Sequence, residues 1–347
     1  MAKFKTVVMT SVFIVFLLCG CESKAEPNVL DDISMTRDVF AMDTFMNMKA
    51  YGSNAEKALS EAEKRVYSLE NELSVTSEAS DIWSINHSQG EAVTICDDTE
   101  KLVNKAIEIG DKTNGALDIT LYPVLKEWGF TGEEYKIPEQ SVLNELLSYV
   151  DYSKIDIEGN TIIVPEKAEI DLGAVAKGYT GDEIMKIFKE NGVKSAIVSL
   201  GGNVQALGSK PDGSDWKVAV RNPFSPDTDM CVIKISDKAV ITSGNYERFF
   251  TDDNGNRYWH ILDPADGRPA DNGLVSVTVI GDCGLDCDAL STALFVEGYE
   301  NTKDFLRNND GYDLILVTDD NKIYYTEGLI ESFSNISDME AEVIKLD

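Results

Sequence analysis

Two short stretches, far apart in the chain, carry residue types suited to metal-assisted phosphate chemistry: Asp171-Leu-Gly-Ala-Val-Ala-Lys177 and Asp288-Ala-Leu-Ser-Thr292. The second places a carboxylate and a hydroxyl at i and i+4. On a helix these share one face, a turn apart. Two hard oxygen donors with an open side suit Mg²⁺, which takes few protein ligands and keeps its other positions for water and phosphate. The first stretch adds Asp171, a glycine-loosened backbone, and Lys177 ahead of a helical pattern. Taken singly, each residue has a plainer account. Asp171 could cap a helix, Asp288 is favourable in a first turn through the helix dipole, Thr292 could be core, and Lys177 could be a surface lysine. Taken together they describe a site for a phosphorylated ligand, and therefore an enzyme.

His260 is a third candidate. A lone histidine after a tryptophan is more often a structural hydrogen bonder. This one, however, leads through Ile261 and Leu262 into the Pro-stiffened loop Asp263-Pro264-Ala-Asp-Gly267-Arg-Pro269. Such loops often carry function. Familiar nucleotide signatures are missing. There is no G-x-G-x-x-G, and after Gly173 and Gly178 the P-loop lysine position holds Tyr179. No G-x-S-x-G elbow occurs either.

The elements that must position these residues read as follows. A helical stripe (Leu59, Ala62, Val66, Leu69, Leu73) predicts a helix over 54–73, and a second is expected over 99–112, stopped near Asn114-Gly115. Gly115 to Phe130 reads as a structured turn, 139–150 as a short helix and 161–164 as a strand. Residues 174–191 read as a helix closed by Gly192, followed by a buried strand over 196–200. Further strands are expected at 216–220, 231–235, 274–280, 314–317 and 323–325, with a hairpin turn at 252–255. Two helices, 286–297 capped by Asp286 and 299–309, lie between the later strands. Strands and helices mix without regular βαβ alternation, which predicts an α+β fold.

Residues 1–20 read as a lipoprotein signal. Lys3 and Lys5 form a basic start, and Thr6 to Leu18 is apolar but shorter than the roughly 18 residues a spanning helix needs. Cys21 then follows Gly20 in the place of a lipidated cysteine, which predicts an exported chain anchored to the outer face of a bacterial cytoplasmic membrane. Residues 21–36 read as a tether, 37–335 as the folded domain and 336–347 as a C-terminal tail.

The net charge is −30, and loss of Lys3 and Lys5 with the signal makes it −32. Such a surface repels nucleic acid, and no basic stripe offsets it. It also repels a phosphate ligand unless a cation and aimed backbone N–H groups receive it locally. With Cys19 cleaved and Cys21 lipidated, Cys96, Cys231, Cys283 and Cys287 remain, either as buried thiols or with the last two paired. Two distant histidines and no Cys-x-x-Cys argue against zinc.

These pieces fall in one order. Met42-Asp-Thr-Phe45, Gly115-Ala-Leu-Asp-Ile-Thr120, Trp128-Gly-Phe130, Asp171-Leu-Gly-Ala-Val-Ala-Lys-Gly-Tyr179 and Ser199-Leu-Gly-Gly-Asn203 come first. Ile241-Thr-Ser-Gly-Asn245, His260-Ile-Leu-Asp-Pro264, Gly267-Arg-Pro269 and Asp288-Ala-Leu-Ser-Thr-Ala293 follow. In this the chain resembles the FAD:protein FMN transferases, the ApbE-type flavin transferases, over about residues 37–335. The resemblance implies FAD bound in a cleft between two intimate parts of an α+β fold. It implies FAD contacts from Met42, the backbone of Ala116, Leu117 and Asp118, and Asp171, Lys177 and Leu262. It implies Mg²⁺ on Asp288, Thr292 and the carbonyl of Ala174, with Ser291 nearby.

The implied reaction cleaves the FAD pyrophosphate, releases AMP and attaches FMN to a threonine hydroxyl of an acceptor protein. The acceptor would be a membrane redox subunit with a Ser/Thr-Gly-Ala-Thr-like site. His260 is the leading candidate for the base, with Asp263 and Asp288 as rivals, and Lys177 would help neutralise charge. The chain departs from some members in having Ser74-Val-Thr76 where they place an aromatic residue over the flavin, and Ser291 where they have a second aspartate. Hydrolysis of FAD to FMN and AMP, and non-catalytic flavin storage, are the alternative activities.

Overall fold

The computed structural model describes residues 33–132 and 134–346. The signal sequence, Cys21 and most of the tether fall outside the described residues. The helices are α1 (Ala55–Leu73), α2 (Asp81–Asn86), α3 (Asp97–Lys112), α4 (Tyr122–Trp128), α5 (Gln140–Leu147), α6 (Ala176–Glu190) and α7 (Gly284–Asn308). A nine-stranded sheet takes its strands in chain order: Ser34–Ala41, Thr44–Tyr51, Ala196–Leu200, Asn203–Leu207, Ala239–Gly244, Leu274–Gly281, Asp313–Thr318, Lys322–Tyr325 and Glu340–Val343. Neighbouring strands are antiparallel except the last pair, which is parallel. The α+β expectation holds.

The sheet has two covered faces. α1 lays its Leu59, Val66 and Leu69 stripe inward, and α6 adds Ile184 and Phe188. The other face is covered by a three-stranded sheet of Trp216–Arg221, Asp229–Ile235 and Phe333–Asn335, through Trp216, Val218, Ile233, Val240 and Val317. A continuous apolar core then joins α3, α7 and the 162–179 segment. Arg65 of α1 ties three helices together, pairing with Asp98 of α3 at 2.6 Å and Glu183 of α6 at 3.1 Å.

Several boundaries differ from the sequence expectation. Residues 34–51 form a hairpin that the chemistry-bearing residues gave no reason to draw. The folded body therefore starts inside the expected tether. It also continues past 335, because Glu340–Val343 is the edge strand of the main sheet and not part of a free tail. The Gly115–Phe130 segment contains α4, begun by Pro123 and ended by Gly129 at φ 81. α7 begins at Gly284 and not at 286. Asp286 does not cap it: the carboxylate of Asp182, on α6, accepts from the N–H groups of Gly284 (2.7 Å) and Leu285 (2.9 Å). The expected division into two helices is real, since Gly298 at φ 80 breaks α7.

Candidate active site

α6 and α7 start side by side, and the closeness of that crossing builds the site. A Cβ on Gly178 would lie 2.2 Å from the carbonyl oxygen of Gly284 and 2.6 Å from Cβ of Asp288. Only glycine permits this approach. It lets the backbone N–H of Gly178 donate to Asp288 Oδ2 at 2.7 Å, while Asn203 Nδ2 donates to Oδ1 at 2.9 Å. Asp288 is 5% exposed. Burial raises its carboxyl above the usual range, and Lys177 works against that shift. Each carboxylate oxygen accepts only one bond here, so lone pairs remain. Thr292 stands one turn further on and opens to the same cleft.

The cleft holds about 540 Å³ and gathers residues from every quarter of the chain. Met42, Ala116, Leu117, Asp118, Asp171, Ala174, Lys177, His260, Leu262, Asp288 and Thr292 all line it. Ser291 does not. It is fully buried, and its hydroxyl donates to the carbonyl of Asp288 at 2.9 Å, so it supports the site from behind and is not a free ligand. Arg268 is likewise turned away, with Nε donating to Gln140 Oε1 at 2.7 Å.

Each wall has a local cause. Met42 and Asp43, at φ 50 and 54, form the two-residue turn between paired Ala41 and Thr44. Side chains rarely adopt this conformation, and here Met42 N–H is held by Glu70 Oε1 at 2.7 Å. The side chain of Asp118 is consumed by its own loop, accepting from Thr120 N–H at 2.8 Å and Tyr152 N–H at 3.2 Å. The residue nevertheless lines the cleft. Asp171 Oδ1 accepts from Gly173 N–H at 2.8 Å, a turn that presents the Gly173–Ala174 backbone. Burial raises the Asp171 carboxyl too, against Lys177 and Arg248. Leu262 is fixed by a bridge to Pro269.

His260 also lines the cleft, with Nδ1 3.1 Å from the carbonyl of Arg248. A carbonyl only accepts, so a neutral ring must carry its proton on Nδ1 and offer its lone pair at Nε2. Burial, then the charges of Arg248 and Lys177, push the ring down to about 4, against the opposing pull of that carbonyl. It is therefore a neutral base at ordinary pH. Ser74, Val75 and Thr76 form one rim, and the aromatic surface of the cleft comes instead from Tyr122 and Phe130.

Buried Asp288 with a hydroxyl beside it, Lys177 with no ion pair among the described residues and a neutral histidine form an arrangement suited to a polyanion. The model of the ApbE family matches residues 42–316.

The chain belongs to the ApbE family.

It is 31% identical over 328 residues to the FAD:protein FMN transferase of Vibrio cholerae, covering 91% of this chain and 96% of that one. It is 29% identical over 343 residues to the FAD:protein FMN transferase of Treponema pallidum, covering 92% and 93%. The crystal structure of the ApbE protein of Thermotoga maritima matches with a TM-score of 0.80 at 30% identity, over 85% of this chain and 98% of that one. The flavin transferase ApbE of Vibrio cholerae matches with a TM-score of 0.78 at 26% identity, over 86% and 99%.

Sequence reasoning gave no role to Asn203, Ser243 and Arg248. Ser243 Oγ lies 2.8 Å from Ser291 Oγ and 3.1 Å from Thr292 Oγ1. The first two stand in family-like stretches, Ser199–Asn203 and Ile241–Asn245, and that was the signal available for them. For Arg248 there was none. The acidic cluster Glu72, Cys96 and Asp98 lies apart from the cleft residues above, and its carboxylates are already engaged by Arg65 at 3.8 and 2.6 Å.

Proposed function

We propose that this chain is a Mg²⁺-dependent FAD:protein FMN transferase, exported and lipid-anchored through Cys21. The observation that carries the transferase reading is the convergence of Asp288, Thr292, Lys177 and His260, from three separate segments, on one cleft large enough for part of a dinucleotide. The donor set suits the metal: Asp288 carboxylate, Thr292 hydroxyl and Ala174 carbonyl would hold Mg²⁺ through hard oxygens. When bound, it supplies charge neutralisation at a pyrophosphate.

The protein's own groups do the rest. The Met42 turn and the Ala116–Asp118 backbone bind and orient FAD. Lys177 places positive charge beside the phosphates, where a low-dielectric wall strengthens it. His260 Nε2 takes the proton of the acceptor threonine hydroxyl as its oxygen attacks phosphorus, and AMP leaves with the electron pair of the broken anhydride bond. The acceptor in this reading is a membrane redox subunit with a Ser/Thr-Gly-Ala-Thr-like segment.

The test incubates the purified protein with FAD, Mg²⁺ and a threonine-containing acceptor domain, reading acceptor mass and AMP together. An FMN-sized gain that requires Mg²⁺ and is lost in Asp288→Ala is expected. AMP and free FMN with an unmodified acceptor would replace transfer by hydrolysis, and intact bound FAD would replace both by flavin storage.

A further inference from the structure

Thr292, Ser243, Ser291 and the backbone of Asp288 form one hydrogen-bonded chain, and its last link fixes the direction of every proton in it. Ser291 Oγ donates to the carbonyl oxygen of Asp288 at 2.9 Å. A carbonyl has no proton to give, so the single proton of Ser291 is committed. Ser243 Oγ lies 2.8 Å from Ser291 Oγ, and Ser291 cannot donate again, so Ser243 is the donor there. Ser243 Oγ also lies 3.1 Å from Thr292 Oγ1, and with the Ser243 proton spent, Thr292 must donate. The protons run from Thr292 to Ser243 to Ser291 to the backbone of α7.

The direction has a chemical consequence. A threonine within a helix ordinarily donates to the carbonyl four residues back. For Thr292 that is Asp288, whose carbonyl Ser291 already occupies. Ser243, on the strand Ala239–Gly244 and itself at the cleft wall, takes the Thr292 proton and so turns it toward the strand. The oxygen then has both lone pairs free. A hydroxyl so oriented ligates a cation. One that contacted phosphate directly would need its proton facing the cleft.

We propose that Ser243 and Ser291 are positioning residues that set the polarity of the Thr292 hydroxyl, so that it presents lone pairs to a divalent cation. The proposal rests on the metal reading above and extends it to two hydroxyls linked to Thr292, Ser243 at the cleft wall and Ser291 buried behind it. Partners behind metal ligands commonly change affinity by about 10- to 100-fold when removed.

The test is Mn²⁺ binding followed by electron paramagnetic resonance, with Mg²⁺ as competitor and no turnover required. Ser243→Ala is expected to weaken Mn²⁺ binding about tenfold, with the circular dichroism spectrum unchanged. Ser243→Thr, which keeps the hydroxyl, is expected to restore most of the affinity. Ser291→Ala should cost less than Thr292→Val, since it leaves Ser243 able to accept from Thr292. Wild-type affinity in Ser243→Ala overturns the relay. So does Ser291→Ala matching the loss in Thr292→Val, because Ser291 would then be a direct ligand. That comparison also decides the question if Ser243→Ala misfolds. Absence of Mn²⁺ binding in the wild type, or full binding in Asp288→Ala, would remove the metal site and the relay with it. Transfer assayed separately distinguishes that result from failure of the transferase reading.

Discussion

The pH dependence of the reaction should expose the environment of His260. An unperturbed histidine titrates near 6.5, so between pH 7.5 and 5.5 its neutral fraction falls from about 0.9 to about 0.09, a tenfold loss for a general base. Burial and the charges of Arg248 and Lys177 push this ring down to about 4. Lowering a histidine preserves its basic form to lower pH, so over the same interval the neutral fraction changes by only about 3%. The ligand-free enzyme is the species that kcat/KM reports. The assay is AMP release at limiting FAD from pH 5.0 to 8.0, with acceptor mass as a second readout. A flat profile is expected. Arg248→Met should raise the midpoint only part of the way, because burial is the larger cause and remains. An acid limb centred near 6.5 in the wild type would refute the burial argument. A profile and rate unchanged in His260→Ala, with FAD binding intact, would pass the role of base to Asp263 or Asp288.

Two further perturbations test the scaffold. Gly178→Ala forces a Cβ to within 2.2 Å of the Gly284 carbonyl and threatens the 2.7 Å bond to Asp288. Overpacking plus loss of a bond to a charged group should cost about 2–5 kcal/mol in urea unfolding, and an unchanged midpoint would contradict the close crossing. Arg65→Met leaves Asp98, Glu183 and Glu72 facing one another and should cost roughly 2–4 kcal/mol at neutral pH. Although burial works the other way, the hydrogen bonds from Arg65 and Tyr179 hold the Asp98 carboxyl below its usual range. Its contribution is therefore present above about pH 4 and lost as pH falls through the depressed value. The gap between wild type and variant in unfolding free energy should narrow with acidification.

Local patterns in the chain were strong enough to read where one residue's neighbours decide its state. The α1 stripe, the break at Gly298 and the Gly192 helix stop depend on spacing and glycine alone, and each sits where spacing put it. The first hairpin was not legible because its turn is Met42-Asp43, which lacks the Asn-Gly or Asp-Gly signal and adopts φ > 0 only with Glu70 holding it. α4 was hidden inside a Gly- and aromatic-rich segment. The start of α7 misled because its cap comes from Asp182, about a hundred residues earlier in the chain.

By itself the sequence determined the chemistry on offer: a carboxylate and hydroxyl one turn apart, a lysine after a glycine-loosened turn, and a histidine leading into a rigid loop. Residue type and short spacing settle these, because i and i+4 on a helix always face together. Tertiary structure alone decided how that chemistry is poised. Gly178 and Gly284 let two helices approach until a backbone N–H reaches Asp288. Burial of His260 near Arg248 and Lys177 sets its protonation. Contact between a strand serine and a helix threonine sets the direction of a proton. Each of these depends on groups that meet only after the chain has folded, and so lies beyond any local pattern.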